Sequence, residues 1–209
     1  MSLINTKKEI QEKSILIEIY GLGYVGFPLT VRLATANFKV IGIDLNEERI
    51  TRLKNNELMD SEIYLEDEYR KCKQQKNIEL QTKPIKSLIP KVGIICVPTP
   101  IPNENIKSDV FVKSAVESFL ENAKTGDVII LESSVEVGTT EKIEKVIELK
   151  GYKVGKDFGL CICPERIDPA NKEWGIENIP RVIYCSDELS FEISKKIYQY
   201  INKGNLLKV

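Results

Sequence analysis

Short unbroken runs of apolar residues alternate along the chain with amphipathic stretches. The segments Val92–Val97, Val128–Leu131 and Phe158–Cys163 are typical of parallel strands that are buried on both faces of a sheet. Between such runs, apolar residues recur at helical spacing, as at positions 112, 115, 116, 119 and 120. This alternation predicts a doubly wound, mostly parallel α/β sheet in a single domain over residues 14–209. We expect residues 1–13 to be a leader, either frayed or folded into a short capping helix.

The most informative local pattern is a glycine-spaced turn between an apolar run, Ser14–Tyr20, and a helical stretch. Its glycines have separate tasks: Gly21 permits a tight turn, Gly23 lets the backbone approach a pyrophosphate, and Gly26 lets the helix pack closely on the sheet. A second apolar run then ends on Asp44, which follows Gly26 by 44 − 26 = 18 residues. Dinucleotide-binding units place an acidic residue at a separation of about 20.

These features predict a Rossmann-like fold that binds NAD. The start of the helix offers unpaired N–H groups and the positive end of its dipole to phosphates. A carboxylate at the position of Asp44 accepts both ribose hydroxyls of NAD and repels the 2′-phosphate of NADP. The alternative is a glycine turn in an α/β protein that binds another ligand, or none.

The nearly equal numbers of basic and acidic residues bear on which kinds of partner the protein could bind. Lys and Arg number 30 and Asp and Glu number 31, so nothing favours a nucleic-acid or anionic-membrane surface. No apolar run approaches the roughly 18 residues of a membrane span, and the first 13 residues carry no apolar signal core. We therefore expect a cytoplasmic protein with no nucleic-acid or membrane partner.

The five cysteines are odd in number and irregularly spaced, which favours reduced thiols. The chain contains no His, so a His-based metal site or catalytic triad is excluded, and we expect no metal site. Any general base must therefore be Asp, Glu, Lys, Tyr or Cys. Cys163, which precedes Pro164, is the cysteine nearest the expected site, but its strand context favours an inert buried thiol.

Polar residues follow the ends of several predicted strands. Thr99 follows the run that ends at Val97, Glu132–Ser134 follow Leu131, and Glu165–Arg166 follow the run that ends at Cys163. Because ligands bind outside the carboxyl ends of strands in open α/β sheets, we expect these residues to meet the glycine turn at one rim.

Four motifs in this order resemble the UDP-glucose/GDP-mannose dehydrogenase family: Gly21–Leu29, Val97–Pro100, Glu132–Val135 and Pro164–Pro169. The resemblance runs from about residue 15 to the end of the chain. The last motif is similar to the branch that acts on UDP-N-acetylhexosamines, namely the UDP-N-acetylglucosamine 6-dehydrogenases, with the UDP-N-acetylmannosamine dehydrogenases close behind. That family oxidises the C6 alcohol of a sugar nucleotide to a carboxylate with two NAD per turnover, for surface-polysaccharide precursors.

The resemblance implies a role for individual residues. Glu165 would border the sugar and assist the hydrolysis of the intermediate, although a loop carboxylate paired with Arg166 is the simpler interpretation. Arg49 would lie over the adenine, although a solvated helix charge is equally compatible with its position. Residues implied to contact NAD are Tyr24, Val25, Asp44, Arg49, Thr99 and Ser134, and those implied to border the sugar are Glu165, Arg166 and Ile167.

The chain also departs from the family pattern. The family continues into a central helix and a second α/β domain that holds a nucleophilic Cys and much of the UDP site, and these 209 residues contain no such segment. We therefore expect the chain alone to bind NAD and to be inactive. The central helix usually forms the family's dimer, so the whole enzyme is expected to be a homodimer or larger, and this piece is compatible with a monomer. The alternatives are a free-standing dinucleotide-binding sensor or pseudo-enzyme, and a β-hydroxyacid dehydrogenase.

Overall fold

A computed structural model describes residues 2–101, 108–166 and 175–209. Their strands form one eight-stranded sheet with the order β3-β2-β1-β4-β5-β6-β7-β8. Strands β1 to β6 all run parallel to one another, whereas β7 runs antiparallel to β6 and β8 runs parallel to β7. The strands are β1 Leu16–Tyr20, β2 Lys39–Ile43, β3 Ile78–Gln81, β4 Lys91–Ile95, β5 Val128–Leu131, β6 Gly159–Ile162, β7 Arg181–Cys185 and β8 Leu206–Lys208. The predicted doubly wound, mostly parallel α/β domain is confirmed.

Helices cover both faces of the sheet. They are α1 Leu3–Glu12, α2 Gly26–Thr35, α3 Glu47–Lys54, α4 Glu66–Gln74, α5 Val110–Leu120, α6 Thr139–Leu149 and α7 Glu188–Gln199, and a 3-10 helix spans Asp60–Leu65. One core lies on the face of α1 to α4 and α7, and the other lies under α5 and α6. Strand β1 alternates between them, since Ile17 and Ile19 join the first core and Tyr20 joins the second.

The carboxyl ends of the parallel strands lie level with one another. Tyr20 pairs with Ile43 on one side and with Ile95 on the other. Ile95 pairs in turn with Leu131, and Leu131 with Ile162. The polar segments that follow these strands therefore start from the same rim. The strand order reverses between β1 and β4, and such a reversal opens a crevice for ligands.

The amino-terminal residues are packed against the domain. Of the two alternatives left open for residues 1–13, the structure has the helix, α1. Leu3 and Ile10 are buried in the first core, and the Thr6 hydroxyl donates a hydrogen bond to the Gly126 carbonyl at 2.5 Å. Within the described part of the chain, no helix is long and apolar enough to cross a membrane.

The expectation of reduced thiols is wrong for one pair of cysteines. Cys161 on β6 and Cys185 on β7 face each other in the antiparallel pair, with their Cα atoms 4.1 Å apart, and are joined by a disulfide. Sequence spacing does not reveal this pair, because it depends on β7 turning back against β6. Cys72, Cys96 and Cys163 are free.

Candidate functional site

The glycine turn has the geometry that a phosphate-binding loop requires. Gly21 has φ +89°, and a Cβ on it would lie 2.7 Å from the Cys96 carbonyl oxygen. A Cβ on Gly26 would lie 1.8 Å from the Gly21 oxygen, so α2 packs tightly against the turn. A Cβ on Gly23 would meet nothing within 4 Å, which leaves open space beside the backbone at this position. The start of α2 has no side-chain cap, and although Phe27 N donates to the Gly23 carbonyl at 3.0 Å, the positive end of the helix dipole lies at this turn, where it favours an anion.

Asp44 is held at the end of β2 by backbone donors. Its Oδ2 accepts a hydrogen bond from Leu22 N at 2.8 Å, and its Oδ1 accepts one from Asn46 N at 2.9 Å. The carboxylate therefore has a fixed orientation beside the turn, where it can receive ribose hydroxyls.

Arg49 lies behind this corner of the site. Its Nε donates to the Leu22 carbonyl at 3.0 Å, its Nη2 pairs with Glu62, and its guanidinium lies 5.2 Å from the centre of the Phe27 ring. Only 10% of the side chain is exposed, so the solvated-charge interpretation of Arg49 is wrong. The contact of Arg49 with the cofactor stays a prediction.

A cleft of about 520 Å³ runs along the rim of the sheet from Asp44 to Glu165. Thr99 and Ser134 line it together with the glycine turn, and Ser133 is held beneath by a hydrogen bond from its hydroxyl to the Val97 carbonyl at 2.7 Å. The lining residues are Tyr20, Gly21, Gly23, Tyr24, Val25, Ile43, Asp44, Leu45, Asn46, Cys96, Val97, Pro98, Thr99, Phe111, Ser114, Ala115, Ser118, Glu132, Ser133, Ser134 and Glu165. Gly26 lies behind the turn, Arg166 is exposed outside this lining, and Ile167 lies outside the described residues.

Sequence reasoning missed one wall of the cleft, which helix α5 provides. Phe111, Ser114 and Ser118 follow one another at spacings of three and four residues and form a second face beside the apolar face of α5, whose edge residue Ala115 also lines the cleft. The signal was present in the sequence as small residues at helical spacing, but it is weaker than the apolar face that predicted the helix.

Glu132 and Glu165 line the end of the cleft opposite Asp44, which we call the inner end. A buried ionic network, also missed by sequence reasoning, holds these two side chains. Arg181 Nη1 donates to both oxygens of Glu132, at 2.9 and 3.0 Å, and its Nη2 donates to Glu165 Oε2 at 2.6 Å. The Tyr198 hydroxyl donates to Glu132 Oε1 at 2.6 Å. Glu165 Oε1 accepts from the backbone N of Arg166 at 2.6 Å. Glu165 is thus oriented by an ion pair from β7 in addition to its own loop.

The thiols near the network are not activated. Burial, together with the nearby Glu132 carboxylate, raises the pKa of the Cys163 thiol to about 12. Burial likewise raises the pKa of Cys96 well above its ordinary value. Both side chains are therefore neutral thiols at neutral pH and weak nucleophiles. Among the described residues, no group of His, Cys, Asp and Glu is arranged to hold a metal ion.

The fold and the cleft define a dinucleotide-binding domain of the dehydrogenase type: a glycine turn at a helix start, an acid on the next strand, and a cleft across the point where the strand order reverses. Residues 15–202 match the model of the UDP-glucose/GDP-mannose dehydrogenase family, NAD binding domain. The chain belongs to this family, and its cofactor is NAD.

Relatives agree on this assignment. The chain is 34% identical over 193 residues to the UDP-N-acetyl-D-mannosamine dehydrogenase of Methanocaldococcus jannaschii, covering 90% of this chain and 43% of that protein. It is 32% identical over 196 residues to the UDP-N-acetyl-D-glucosamine 6-dehydrogenase of Salmonella typhi, covering 93% of this chain and 45% of that protein. The structure of the UDP-N-acetyl-mannosamine dehydrogenase of Staphylococcus aureus superimposes with a TM-score of 0.84 at 28% identity, covering 93% of this chain and 47% of that one.

Two facts follow from these matches. The chain spans less than half the length of these relatives. The mannosamine and glucosamine enzymes match at nearly equal identity, 34% and 32%, so overall similarity does not separate the two sugars.

Proposed function

We propose that this chain is the NAD-binding part of a UDP-N-acetylhexosamine 6-dehydrogenase, which oxidises the C6 alcohol of its sugar to a carboxylate with two NAD. The observation that carries the proposal is the cleft itself. It joins the glycine turn and Asp44 at one end to Glu132 and Glu165 at the other, so that a cofactor site and a pair of carboxylates share one groove. The names of the relatives supply the class of sugar.

Different residues along the cleft bind different parts of the cofactor and the substrate. The glycine turn and the start of α2 bind the pyrophosphate, and Asp44 binds the ribose. Bound NAD supplies the hydride acceptor. Thr99 and Ser134 contact the cofactor further along, and Glu165, Arg166 and Ile167 border the sugar. Glu165 positions or deprotonates the water that hydrolyses the intermediate.

The oxidation of an aldehyde to an acid through a thioester needs an activated thiolate, and none of the five cysteines of this chain offers one. Cys161 and Cys185 form a disulfide, and Cys72 is buried. Cys96 and Cys163 are held neutral by burial. We therefore propose that these 209 residues alone bind NAD without turning over a sugar.

The partners of the complete enzyme follow from the same proposal. Its substrate is a UDP-N-acetylhexosamine, it works in the cytoplasm, and it is a homodimer or larger assembly, whereas the isolated chain is a monomer. Light scattering of the chain, with and without NAD, measures the last point directly. A stable dimer of these 209 residues would contradict it.

The activity is tested in two stages. Calorimetric titration of the chain should give saturable binding of NAD and much weaker binding of NADP. The chain is then joined to the second half of the Methanocaldococcus jannaschii relative, and NADH formation is followed with UDP-N-acetylmannosamine, UDP-N-acetylglucosamine and a β-hydroxyacid. Oxidation of either UDP-sugar supports the proposal. A chimera that binds NAD and UDP but oxidises only the hydroxyacid contradicts it and favours the β-hydroxyacid dehydrogenase alternative. One that oxidises nothing contradicts it and favours the sensor alternative.

A further inference from the structure

The reversed direction of β7 brings Arg181 to the rim of the sheet on which the cleft lies. The parallel strands end at this rim, whereas antiparallel β7 begins there, and Arg181 is its first residue. Ile162 of β6 pairs with Tyr184 of β7. Counting three residues outward from this pair along both strands brings Glu165 opposite Arg181. The pairing of the two strands therefore directs Arg181 to the residue proposed to act on water.

The disulfide fixes this pairing. The ladder between β6 and β7 consists of two residue pairs, and Cys161–Cys185 is one of them. Arg181, Ile183 and Cys185 are buried at alternate positions of β7, so they share one face of the strand. A slip of one residue would turn all three to the other face. The covalent link between β6 and β7 excludes that slip and keeps Arg181 on the side of Glu165.

The guanidinium of Arg181 has little freedom. Its side chain is 2% exposed, and its Nη1 donates to both oxygens of Glu132, at 2.9 and 3.0 Å. Its central carbon lies 4.7 Å from the centre of the Tyr198 ring, and the Tyr198 hydroxyl donates to the same Glu132. With Nη1 held on one side, Nη2 donates to Glu165 Oε2 at 2.6 Å. A planar guanidinium that is fixed in this way defines the position of a carboxylate more narrowly than a flexible ammonium group does.

Arg181 and Glu165 differ in their access to a ligand. Glu165 lines the cleft, whereas Arg181 does not. Arg181 therefore touches neither cofactor nor sugar, and it can influence the reaction only through the carboxyl groups that it holds.

We propose that Arg181 is a positioning residue for the hydrolysis step, because it holds the Glu165 carboxylate where it accepts a proton from the attacking water. The inference rests on the proposed function and deepens it. In this step the water oxygen forms a bond to the carbonyl carbon of the thioester, the carbon–sulfur bond breaks and the thiolate leaves. Glu165 takes the proton of the water, and the sugar leaves as a carboxylic acid. NAD binding and the hydride transfers do not depend on the contact between Arg181 and Glu165.

The experiment uses the chimera described above and the variants Arg181→Lys and Arg181→Met. Arg181→Lys is the more informative variant, because it keeps the positive charge but cannot bridge two carboxyl groups in the fixed directions of a guanidinium. Its steady-state kcat should fall on the order of tenfold to a hundredfold, as expected when a reacting group is misplaced. The rapid formation of NADH in the first turnover should persist. Mass spectrometry of the quenched chimera should then show the sugar accumulating as a covalent adduct.

Two controls separate positioning from a structural role. In the isolated chain, Arg181→Lys should bind NAD with a Kd within about twofold of the parent, which reports an intact cleft. Arg70→Met removes an exposed guanidinium that pairs with Glu66 on α4, and it should change neither this Kd nor kcat.

A double variant tests whether Arg181 acts through Glu165. Arg181→Lys should lower kcat no further in a chimera that already carries Glu165→Gln, because the group that Arg181 positions is then no longer a base. A loss that adds to that of Glu165→Gln would overturn the inference.

The remaining outcomes are also decisive. An unchanged kcat in both Arg181 variants would overturn the inference, as would a lowered kcat without the rapid phase and the adduct, since the affected step would then precede hydrolysis. Loss of NAD affinity together with turnover in both variants would show a merely structural role. A parent chimera that oxidises no UDP-sugar would remove the proposed function and this inference together, whereas an active parent with unaffected Arg181 variants would remove the inference alone.

Discussion

The Asp44 carboxylate accepts a hydrogen bond from the backbone N–H of Leu22 at 2.8 Å, which ties the end of β2 to the middle of the glycine turn. The residue proposed to bind the ribose therefore also braces the loop proposed to bind the pyrophosphate. Any change of Asp44 should act on both functions at once.

Asp44→Asn should weaken NAD binding by about tenfold and relax the discrimination against NADP, because the charge that accepts ribose hydroxyls and repels a 2′-phosphate is lost. Parallel titrations with NAD and NADP measure both effects. Glu47→Gln, an exposed carboxylate in the first turn of α3, is the control and should leave both constants unchanged. Unaltered NAD affinity in Asp44→Asn would contradict the assignment of Asp44 to the ribose.

Two substitutions in the glycine turn should distinguish an effect on NAD binding from an effect on the stability of the fold. Gly23→Ala should fold normally, since its Cβ would meet nothing within 4 Å, but it should lose NAD affinity by about tenfold or more, because the methyl group occupies the approach of the pyrophosphate. Gly26→Ala should instead destabilise the fold, since its Cβ would lie 1.8 Å from the Gly21 oxygen. Urea unfolding and NAD titration of both variants distinguish the two outcomes.

Gly175→Ala is the control for these glycine variants, because a Cβ there also meets nothing within 4 Å and Gly175 lies outside the cleft lining. It should match the parent chain in stability and in affinity. A Gly23→Ala variant that binds NAD as tightly as the parent chain would show that the open space beside Gly23 is not the approach of a phosphate.

The fold could be predicted from the sequence because the strand and helix patterns along the chain agreed with one another. Buried strands such as Val128–Leu131 carried continuous apolar runs, and amphipathic helices separated them. The antiparallel direction of β7 could not be predicted, since the residue pattern of a short strand such as Arg181–Cys185 does not indicate whether it runs parallel or antiparallel to its neighbour. The Cys161–Cys185 disulfide follows from that reversal and was missed with it.

Some residues of the candidate site could likewise be predicted from the sequence, and others could not. The glycine turn and Asp44 could be predicted, because their spacing, as between Gly26 and Asp44, is read directly from the chain. The network at the inner end joins Glu132 to Arg181 and Tyr198, which follow it by 49 and 66 residues. No local pattern encodes a contact of that separation. The lone Arg that begins β7 has no sequence signal that marks it as the partner of two carboxylates.

A second buried ion pair joins β1 to β4 and should be important for stability. Lys91 Nζ donates to Glu18 Oε2 at 2.8 Å, the Tyr20 hydroxyl donates to the same oxygen at 2.9 Å, and both charged side chains are 0% exposed. Lys91→Met should lower the free energy of unfolding by about 3–5 kcal/mol, because it leaves the Glu18 carboxylate buried and uncompensated. Urea denaturation at neutral pH measures the loss.

The double variant Glu18→Gln with Lys91→Met should recover most of that loss, since no charge is then left unpaired. Lys113→Met is the control, because its pair with Glu117 at 3.9 Å is half-exposed and should contribute about 0–1 kcal/mol. A single variant Lys91→Met as stable as the parent chain would contradict the importance of this buried pair for stability.

Asp127 should make stability depend on pH between about 4 and 6. Burial raises its folded pKa from 3.8 to about 6, although the backbone N–H groups of Lys91 and Lys124 oppose the shift by donating to its oxygens at 2.8 Å. A raised folded pKa means that the folded state binds the proton more tightly. The stabilisation from this proton is therefore fully present below the unfolded pKa and is lost as the pH rises through about 6.

A shift of this size corresponds to at most about 3 kcal/mol, and urea unfolding at several pH values across this window measures it. Asp127→Asn should flatten the change of stability between about pH 4 and 6, whereas Glu136→Gln, an exposed carboxylate, should leave the profile as it is. Burial also raises the pKa of Glu132, which adds to the slope with the same sign, so the flattening is expected to be partial. A profile in Asp127→Asn that is identical to that of the parent chain would show that Asp127 stays ionised throughout, held by its two N–H donors.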